Sequence, residues 1–308
     1  MTSSPWGDRP PAVLADEVAE ALQGGRPVVA LETTLVSHGF SGGRGLAVAR
    51  AAEDRVRAAG AVPATVGIVD GTLRAGLGPA ELRRFAEAGP AARKVSARDI
   101  AACVVQGALG ATTVGGTLAA CRALGIRFLA TGGIGGVHRG FADSLDISGD
   151  LLQIARTPAV VVCSGAKSIL DVSATAELLE TLAVPVLGWH TGTLPLFYRA
   201  DGGPAVPAVV TSAGEAARIA QAQWRLNPSS GLLLARPPAG GLDLEPVIAE
   251  AVRQVQREGV TGQAVTPAVL ARVEELSGGR SVAVNQRLIA DNAALAAEVA
   301  VAWAGLGG

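Results

Sequence analysis

Apolar positions along the chain form short, nearly continuous runs that alternate with longer segments of helical spacing. The runs predict strands that are buried on both faces, as in a parallel sheet, at residues 27–32, 64–69, 127–132, 159–164, 184–189 and 231–236. Helices are predicted around them at residues 13–23, 45–59, 79–88, 97–107, 114–124, 168–182 and 213–225. This alternation predicts an α/β fold, a three-layer α/β/α sandwich with a mostly parallel central sheet.

The pattern changes near residue 243, after which no strand is evident. Three helices are predicted at residues 244–259, 266–279 and 281–305, so we expect a helical C-terminal segment packed on the sheet. Thr266 followed by Pro267 is expected to cap the second of them, since proline suits the first helical position. No repeat or linker is visible, which predicts a single domain over residues 1–308 with 1–10 as a loose N-terminal tail.

Composition excludes several classes of protein. The chain has 308 residues, is 49% hydrophobic and 17% charged, and carries a formal net charge of −1. It shows no basic stripe for nucleic acid, no membrane-length apolar run and no secretory signal pattern. We therefore expect a cytoplasmic protein with a small-molecule substrate and neither a nucleic-acid nor a membrane partner. Cys103, Cys121 and Cys163 are expected to be reduced core residues.

Polar or glycine residues lie at and just beyond the ends of three predicted strands. These segments are Glu32–Thr34, Thr131–Gly133 and Ser164–Lys167. Ligands of open α/β sheets bind beyond the carboxyl ends of the strands, so the three segments predict a site at that edge. Glu32 is poorly explained as a solvated surface residue because the strand before it is apolar, and it is the first candidate for acid–base work.

Lysine usage singles out two positions. Of the 26 basic side chains only Lys94 and Lys167 are lysine, and the remainder are arginine. Arginine cannot lose its proton in a protein, whereas an amine can be tuned by burial or by a neighbouring cation. An unperturbed amine titrates near pH ~10.4, and useful nucleophilic or base work needs about 7–8. Lys167, just past an apolar strand, fits this demand and is the candidate for a Schiff base with a carbonyl substrate.

Other motifs give weaker signals. The stretch "SGAKS" lacks the glycines of a P-loop, and "GGIGGVHRG" lacks the dinucleotide spacing, although its backbone N–H groups remain candidates for phosphate binding. Asp146 and Asp150 are candidates for holding a hard divalent cation with waters and a phosphate. Asp150 is equally a candidate cap for the helix that begins there.

Eight ordered motifs together resemble the pseudouridine-5′-phosphate glycosidase family, also called indigoidine synthase A-like. The resemblance runs from about residue 15 to 302. The motifs are "ALETTLVSHGF", "GAVPATVGIVDGTLRAGL", "KVSARD", "GATTVGGT", "FLATGGIGGVHRG", "DISGDL", "VVVCSGAKSILD" and "GGRSVAVN". It implies a homotrimeric α/β/α enzyme that uses a divalent metal, usually Mn²⁺. The implied reaction is reversible cleavage of the C–C glycosidic bond of pseudouridine 5′-phosphate to uracil and ribose 5-phosphate.

Matching the motifs residue by residue implies roles for individual side chains. Lys167 corresponds to the lysine that forms a Schiff base with C1′ of the opened ribose, Glu32 to the acid–base residue and Asp146 to the metal ligand. The expected substrate-contacting residues are Lys94, Thr113, Val114, Thr131, His138, Ser148, Gly149, Asp150 and Asn285. Lys94 either binds phosphate or favours the neutral form of Lys167 by its charge.

The chemistry agrees with this resemblance. A C–C glycoside has no leaving-group oxygen, so the paired-carboxylate route of O-glycosidases does not apply directly. An amine that captures C1′ supplies the electron sink instead. Two departures from the family pattern occur, Thr33 for serine and Asp291 for asparagine. Thr33 keeps the hydroxyl, while Asp291 either tunes the metal or is a surface charge.

Two alternatives remain from the sequence alone. The first is a Schiff-base lyase that acts on a different sugar phosphate or base. The second is a non-catalytic sugar-phosphate-binding protein, in which Lys167 would be solvated and distant from Glu32.

Overall fold

The computed structural model describes residues 12–40, 43–260 and 262–307. The tail predicted at residues 1–10 lies outside the described residues. The strands are β1 (Ala12–Leu14), β2 (Val28–Glu32), β3 (Val62–Val69), β4 (Thr72–Ala75), β5 (Arg93–Val95), β6 (Gly110–Thr112), β7 (Phe128–Ala130), β8 (Val137–His138), β9 (Val160–Cys163), β10 (Leu170–Asp171), β11 (Val186–Trp189), β12 (Ala208–Val210) and β13 (Leu232–Ala235).

Helices connect these strands and form the whole described C-terminal segment. They are α1 (Asp16–Gln23), α2 (Thr34–Ser37), α3 (Arg44–Ala58), α4 (Pro79–Ala88), α5 (Ile100–Val105), α6 (Val114–Leu124), α7 (Phe141–Ser144), α8 (Gly149–Arg156), α9 (Val172–Thr181), α10 (Ala213–Leu226), α11 (Glu245–Arg257), α12 (Val265–Leu276) and α13 (Arg280–Ala304). Among the described residues, no helix combines the length and apolarity of a membrane span.

The central sheet has the order β1-β4-β3-β2-β7-β9-β13-β11-β12, with β6 joined to β3 and β5. The run from β3 to β12 is parallel throughout, and the antiparallel pairs within this sheet are β3 with β4 and β3 with β6. The mostly parallel sheet predicted from the sequence is therefore confirmed, and all six predicted strands are present.

Helices cover the sheet, as the near-continuous apolar strands require. The long helix α13 contacts β2, β7 and β9 and is flanked by α3 and α10, while α6 packs on α8 and also contacts β2. Every residue of β2, β3 and β9 is buried. The α/β/α sandwich with a helical C-terminal segment is thus confirmed. The main core cluster runs from Val18 to Ala300, which is typical of one domain, and the single-domain organisation stays a prediction.

Seven short strands were not predicted. They are β1, β4, β5, β6, β8, β10 and β12, each two to four residues long. Such lengths are too short to establish a period of two, so pairing with a neighbour decides them. Two predicted helices are shortened as a result, because β1 precedes α1 and β10 precedes α9.

Two further helix starts differ from expectation. The helix predicted at 97–107 begins as a 3-10 turn (Ala97–Asp99) and α5 ends at Val105. Thr266 is not the cap of α12, because a 3-10 turn (Gly262–Ala264) leads directly into the helix at Val265. The prediction for Thr266 and Pro267 was therefore wrong by one to two residues.

Strand order creates a crevice at the carboxyl edge. From β2 the chain passes first to β3 on one side of the sheet, and it later enters β7 on the other side. Connections therefore leave β2 and β7 in opposite directions, which is the topological switch point where open α/β sheets bind ligands. The segments after β2, β7 and β9 meet at this edge.

Candidate active site

Glu32 lies at the end of β2 and is 3% exposed. Its carboxylate accepts hydrogen bonds from two hydroxyls, Thr34 Oγ1 and Thr131 Oγ1, the latter at 2.5 Å. A buried carboxylate is costly unless such partners replace water. Glu32 is therefore fixed between the first turn of α2 and the end of β7, as expected for a group that must act from one position.

Lys167 lies in the loop after β9, on the other side of β7. Its backbone N–H donates to Ile134 O at 3.0 Å, which ties this loop to the one after β7. Gly165 has φ +83°, and a Cβ there would lie 2.0 Å from Pro195 O. Only glycine suits this turn, and the turn brings the half-buried Lys167 into the crevice.

Asn292 on α13 connects the two loops and was not singled out by the sequence. Its side chain is fully buried, and Nδ2 donates to Thr131 O at 2.8 Å and to Ser164 Oγ at 3.2 Å. Thr131 in turn holds Glu32, and Ser164 begins the loop that carries Lys167. A single amide thus fixes the acid and the amine relative to each other, which no local sequence signal reveals.

Lys94 reaches the same crevice from β5. Burial, and next the charge of Lys167, lower the pKa of Lys94 to about 8. Nearby carboxylates of Asp150, Glu32 and Asp146 oppose this shift. The two lysines of the chain therefore lie close enough to repel each other. An arginine at position 94 would keep its charge at any pH, so it could not replace this lysine without changing the charge of the site.

Three neighbouring cavities define the site. The inner cavity, about 50 Å³, is lined by Glu32, Lys94, Thr131, Lys167 and Asn285 among others. It shares Lys94 and Thr266 with the α8 cavity, about 420 Å³, at the start of α8. It shares His38, Gly39, Pro267, Leu270 and Asn285 with the α12 cavity, about 650 Å³, beside α12.

The α8 cavity gathers a second group of expected substrate contacts. Those that line it are Lys94, Thr113, His138, Ser148, Gly149 and Asp150. Ser148 is the N-cap of α8, where its Oγ accepts from the backbone N–H of Asp150 at 3.2 Å. The exposed Gly149 begins the helix. A helix N-terminus beside an ammonium is suited to bind a phosphate.

Asp150 is not the cap of α8, and its role as a cation ligand with Asp146 stays a prediction. It is 4% exposed, and its two carboxylate oxygens accept from the backbone N–H groups of Gly115 (2.7 Å) and Gly135 (2.8 Å). It therefore joins the start of α6 to the glycine-rich loop after β7. The N–H of Gly135 is used in this bond, so that part of the glycine loop does not cradle a phosphate.

Asp146 also lines the α8 cavity, and its carboxylate is 37% exposed with Oδ2 3.8 Å from His138 Nδ1. Burial lowers the pKa of His138, and the charge of Asp146 opposes this shift. The described residues contain no group of three or more potential His, Cys, Asp or Glu ligands. This donor set fits a hard cation held by one carboxylate, with water and substrate oxygens completing the shell, rather than a closed protein cage.

The remaining expected residues are placed differently. Asn285 lines both the inner and the α12 cavity, whereas Val114 is fully buried as the first residue of α6 and lines none of the three. Its contact with substrate stays a prediction. His38, which the sequence analysis assigned no role, lines the inner and α12 cavities. The three cysteines are free and buried, as expected.

The two departures from the family pattern have plain structural explanations. Thr33 Oγ1 donates to Val66 O and accepts from Thr112 N, both at 2.8 Å, so the hydroxyl that it shares with serine is used. Asp291 is paired with Arg236 at 3.1 Å and Arg55 at 3.4 Å. Its charge ties α13 to the end of β13 and to α3, so it is not a free surface charge.

The fold and site define an α/β protein in which a lysine and a glutamate line one cavity at the switch point of a mostly parallel sheet. The family model described as "Indigoidine synthase A like protein" matches residues 17–302. The chain therefore belongs to the indigoidine synthase A-like family, as the sequence motifs predicted.

Relatives are similar over nearly their whole length. The pseudouridine-5′-phosphate glycosidase of Chloroflexus aurantiacus is 48% identical over 302 residues, covering 96% of this chain and 99% of the relative. The protein of the same name from Salinispora tropica is 51% identical over 295 residues, covering 94% of this chain and 90% of the relative.

Solved structures agree with the fold. The prealnumycin C-glycosynthase AlnA, in complex with ribulose 5-phosphate, has a TM-score of 0.87 at 41% identity and covers 96% of this chain and 98% of its own. An indigoidine synthase A-like protein of Thermotoga maritima has a TM-score of 0.84 at 35% identity, covering 90% of this chain and 93% of its own.

The proximity of the two lysines gives a test of the site. With only two lysines, ¹³C-labelled lysine should give two side-chain NMR signals, and the one lost in Lys94→Arg is expected to titrate near pH 8. Lys167→Met removes a neighbouring positive charge and should raise the pKa of Lys94, while Lys167→Arg keeps the charge and should leave it near 8. A wild-type Lys94 that titrates near ~10.4, as a free lysine does, would contradict this geometry.

Proposed function

We propose that the protein catalyses the reversible cleavage of pseudouridine 5′-phosphate to uracil and ribose 5-phosphate, with one water consumed. The observation that carries the proposal is that Lys167 and Glu32 line one cavity at the switch point. Membership of the family and the names of full-length relatives support the same reaction.

The amine of Lys167 is the nucleophile, in its uncharged form. It attacks C1′, the C1′–O4′ bond breaks, and O4′ takes a proton as the ribose opens. The nitrogen lone pair then expels the base. The C1′–C5 bond breaks, its electron pair stays on C5 of uracil, C5 takes a proton, and C1′ remains as an imine on Lys167. Water hydrolyses the imine and releases ribose 5-phosphate.

Glu32 moves the protons in these steps. Its carboxyl faces the cavity that holds the amine and is fixed by Thr34 and Thr131. Held in this way, the carboxylic acid of Glu32 can protonate O4′, then take the proton that the attached nitrogen loses, and give that proton to C5. Such positioned proton transfer typically contributes about 10²–10⁴-fold to a rate. Asn292 acts behind it as a positioning residue, since it holds Thr131 and the start of the Lys167 loop.

The phosphate is assigned to the α8 cavity. Lys94 stands on the wall between that cavity and the inner one, so its ammonium can pair with the phosphate of a sugar whose C1′ is at Lys167. Ser148, Gly149 and the first-turn N–H groups of α8 complete an anion site. This assigns phosphate binding to Lys94, one of the two roles left open by the sequence.

A divalent cation, Mn²⁺ by the family resemblance, would be held by Asp146 beside this phosphate site. When bound it would neutralise phosphate charge and fix the sugar, with water and substrate oxygens as its remaining ligands. The homotrimer and the cytoplasmic location expected from the sequence remain proposals as well.

A second candidate function is favoured by one observation. The similar structure AlnA is named a C-glycosynthase and holds ribulose 5-phosphate. The same amine and carboxylate would serve a Schiff-base lyase or synthase that joins a five-carbon sugar phosphate to another base. The non-catalytic alternative is disfavoured, because Lys167 and Glu32 share a cavity instead of being solvated and distant.

Product formation tests the proposed reaction directly. Incubation with ribose 5-phosphate, uracil and Mn²⁺ should yield pseudouridine 5′-phosphate, and borohydride should trap the sugar on the wild-type protein. Lys167→Arg should abolish trapping and turnover, whereas Glu32→Gln should keep trapping but lower turnover by about 10²–10⁴-fold. Absence of both product and adduct in the wild type would contradict the reaction, and an adduct without product would favour the second candidate.

The cation site has its own test. Asp146→Asn removes the carboxylate and should raise the Mn²⁺ concentration needed for half-maximal binding, read by Mn²⁺ electron paramagnetic resonance, by about tenfold or more. Asp143→Asn, at an exposed residue of α7 three positions before Asp146, is the matched control and should change nothing. Equal Mn²⁺ binding by wild type and Asp146→Asn would exclude this residue as the ligand.

A further inference from the structure

His38 occupies the wall that the inner cavity and the α12 cavity share. It follows α2 directly, and its backbone N–H donates to Thr34 O at 2.9 Å. The backbone of His38 is therefore held one helical turn beyond Thr34. It lies on the side of the inner cavity that opens toward the α12 cavity, away from the phosphate site at α8.

The imidazole presents an unpaired acceptor. Nδ1 of the imidazole is buried and has no hydrogen-bond partner among the described residues. In the neutral tautomer that carries its proton on Nε2, Nδ1 offers a lone pair. Burial, and next the charge of Lys94, lower the pKa of His38 and keep the ring neutral at pH 7.

A second unpaired acceptor lies on the same wall. Asn285 on α13 is 7% exposed, and its Oδ1 has no partner among the described residues. Like His38, it lines both the inner and the α12 cavity. Leaving buried acceptors unpaired is unfavourable, so two of them at one opening favour a ligand group that donates hydrogen bonds.

The orientation of the substrate in the site indicates which ligand group donates these hydrogen bonds. With the phosphate at the start of α8 and C1′ at Lys167, the base bonded to C1′ extends the other way, toward the α12 cavity. The inner cavity of about 50 Å³ is too small for the whole substrate, while the α12 cavity of about 650 Å³ has room for a planar ring. Uracil carries two ring N–H donors, at N1 and N3, which match the two acceptors.

Resting on the proposed function, we infer that Nδ1 of His38 accepts a hydrogen bond from a ring N–H of uracil and so selects the base. His38 thereby becomes a specificity-determining residue of the α12 cavity. It contributes to the base half of the reaction and not to capture of the sugar by Lys167.

In the synthetic direction, binding of the base and capture of the sugar can be measured separately, because the concentrations of uracil and ribose 5-phosphate are varied independently. His38→Phe, which lacks the acceptor, should raise the KM for uracil by at least about tenfold and leave the KM for ribose 5-phosphate within about twofold. Borohydride trapping of ribose 5-phosphate should be unchanged. His38→Asn offers an amide oxygen near the same place and should recover part of the affinity for uracil.

Methylated bases identify the contact itself. The wild type should discriminate against either 1-methyluracil or 3-methyluracil by at least about tenfold relative to uracil, and His38→Phe should lose that discrimination. His190→Asn is the matched control, since His190 lies after β11, lines none of the three cavities and has φ +53°, which asparagine tolerates.

The outcomes distinguish this inference from the function on which it rests. If the wild type forms neither adduct nor product, the proposed function fails. If it does both and His38→Phe keeps the uracil KM and the wild-type preference among the methylated bases, the inference about His38 is overturned. Should His38→Phe fail to fold, His38→Leu, which also lacks the acceptor, decides by the same criterion.

Discussion

The buried carboxylate of Glu32 is the constraint on which the rest of the site depends. Water does not reach it, so hydroxyls must replace water, and they come from two different elements, Thr34 in α2 and Thr131 after β7. Because β2 and β7 flank the switch point, these hydroxyls also fix the width of the crevice. Asn292 then extends the constraint to Ser164, from whose loop Lys167 arises.

The distribution of basic residues follows from the same site. Arginine serves wherever a permanent cation suffices, as in the pairs that Arg55 and Arg236 form with Asp291. The two lysines meet in one crevice, where burial and mutual repulsion hold the pKa of Lys94 near 8. An arginine at position 167 would stay charged and would remove the neutral amine that attacks the sugar.

Much of this arrangement is predictable from the sequence, and the reason is local. Glu32, Thr131 and Lys167 each lie at or just after the end of an apolar strand, so the predicted strand ends alone place them at one edge of the sheet. The scarcity of lysine in the sequence singles out Lys94 as a further candidate. Short strands such as β5, which carries Lys94, are not predicted from the sequence, because three residues are too few to show the alternation of apolar and polar side chains that marks a strand.

Other features depend on contacts between distant segments. From the sequence alone, Asp150 is equally plausible as a helix cap and as a metal ligand. Only the structure shows that the backbone N–H groups of Gly115 and Gly135 donate to its carboxylate. Asn292 and His38 carry no local signal, since an interior helix position and a turn after a short helix acquire their roles only when β7, β9 and α13 come together.

We propose that the amine, the carboxylate and the phosphate site all act on a single extended sugar. A crystal structure of the protein after borohydride reduction with ribose 5-phosphate would show this arrangement. We expect C1′ bonded to Nζ of Lys167, the Glu32 carboxylate facing the reduced carbon, and the phosphate at Ser148 and Gly149 beside Lys94. A sugar attached to Lys94, or one whose phosphate lies in the α12 cavity, would contradict it.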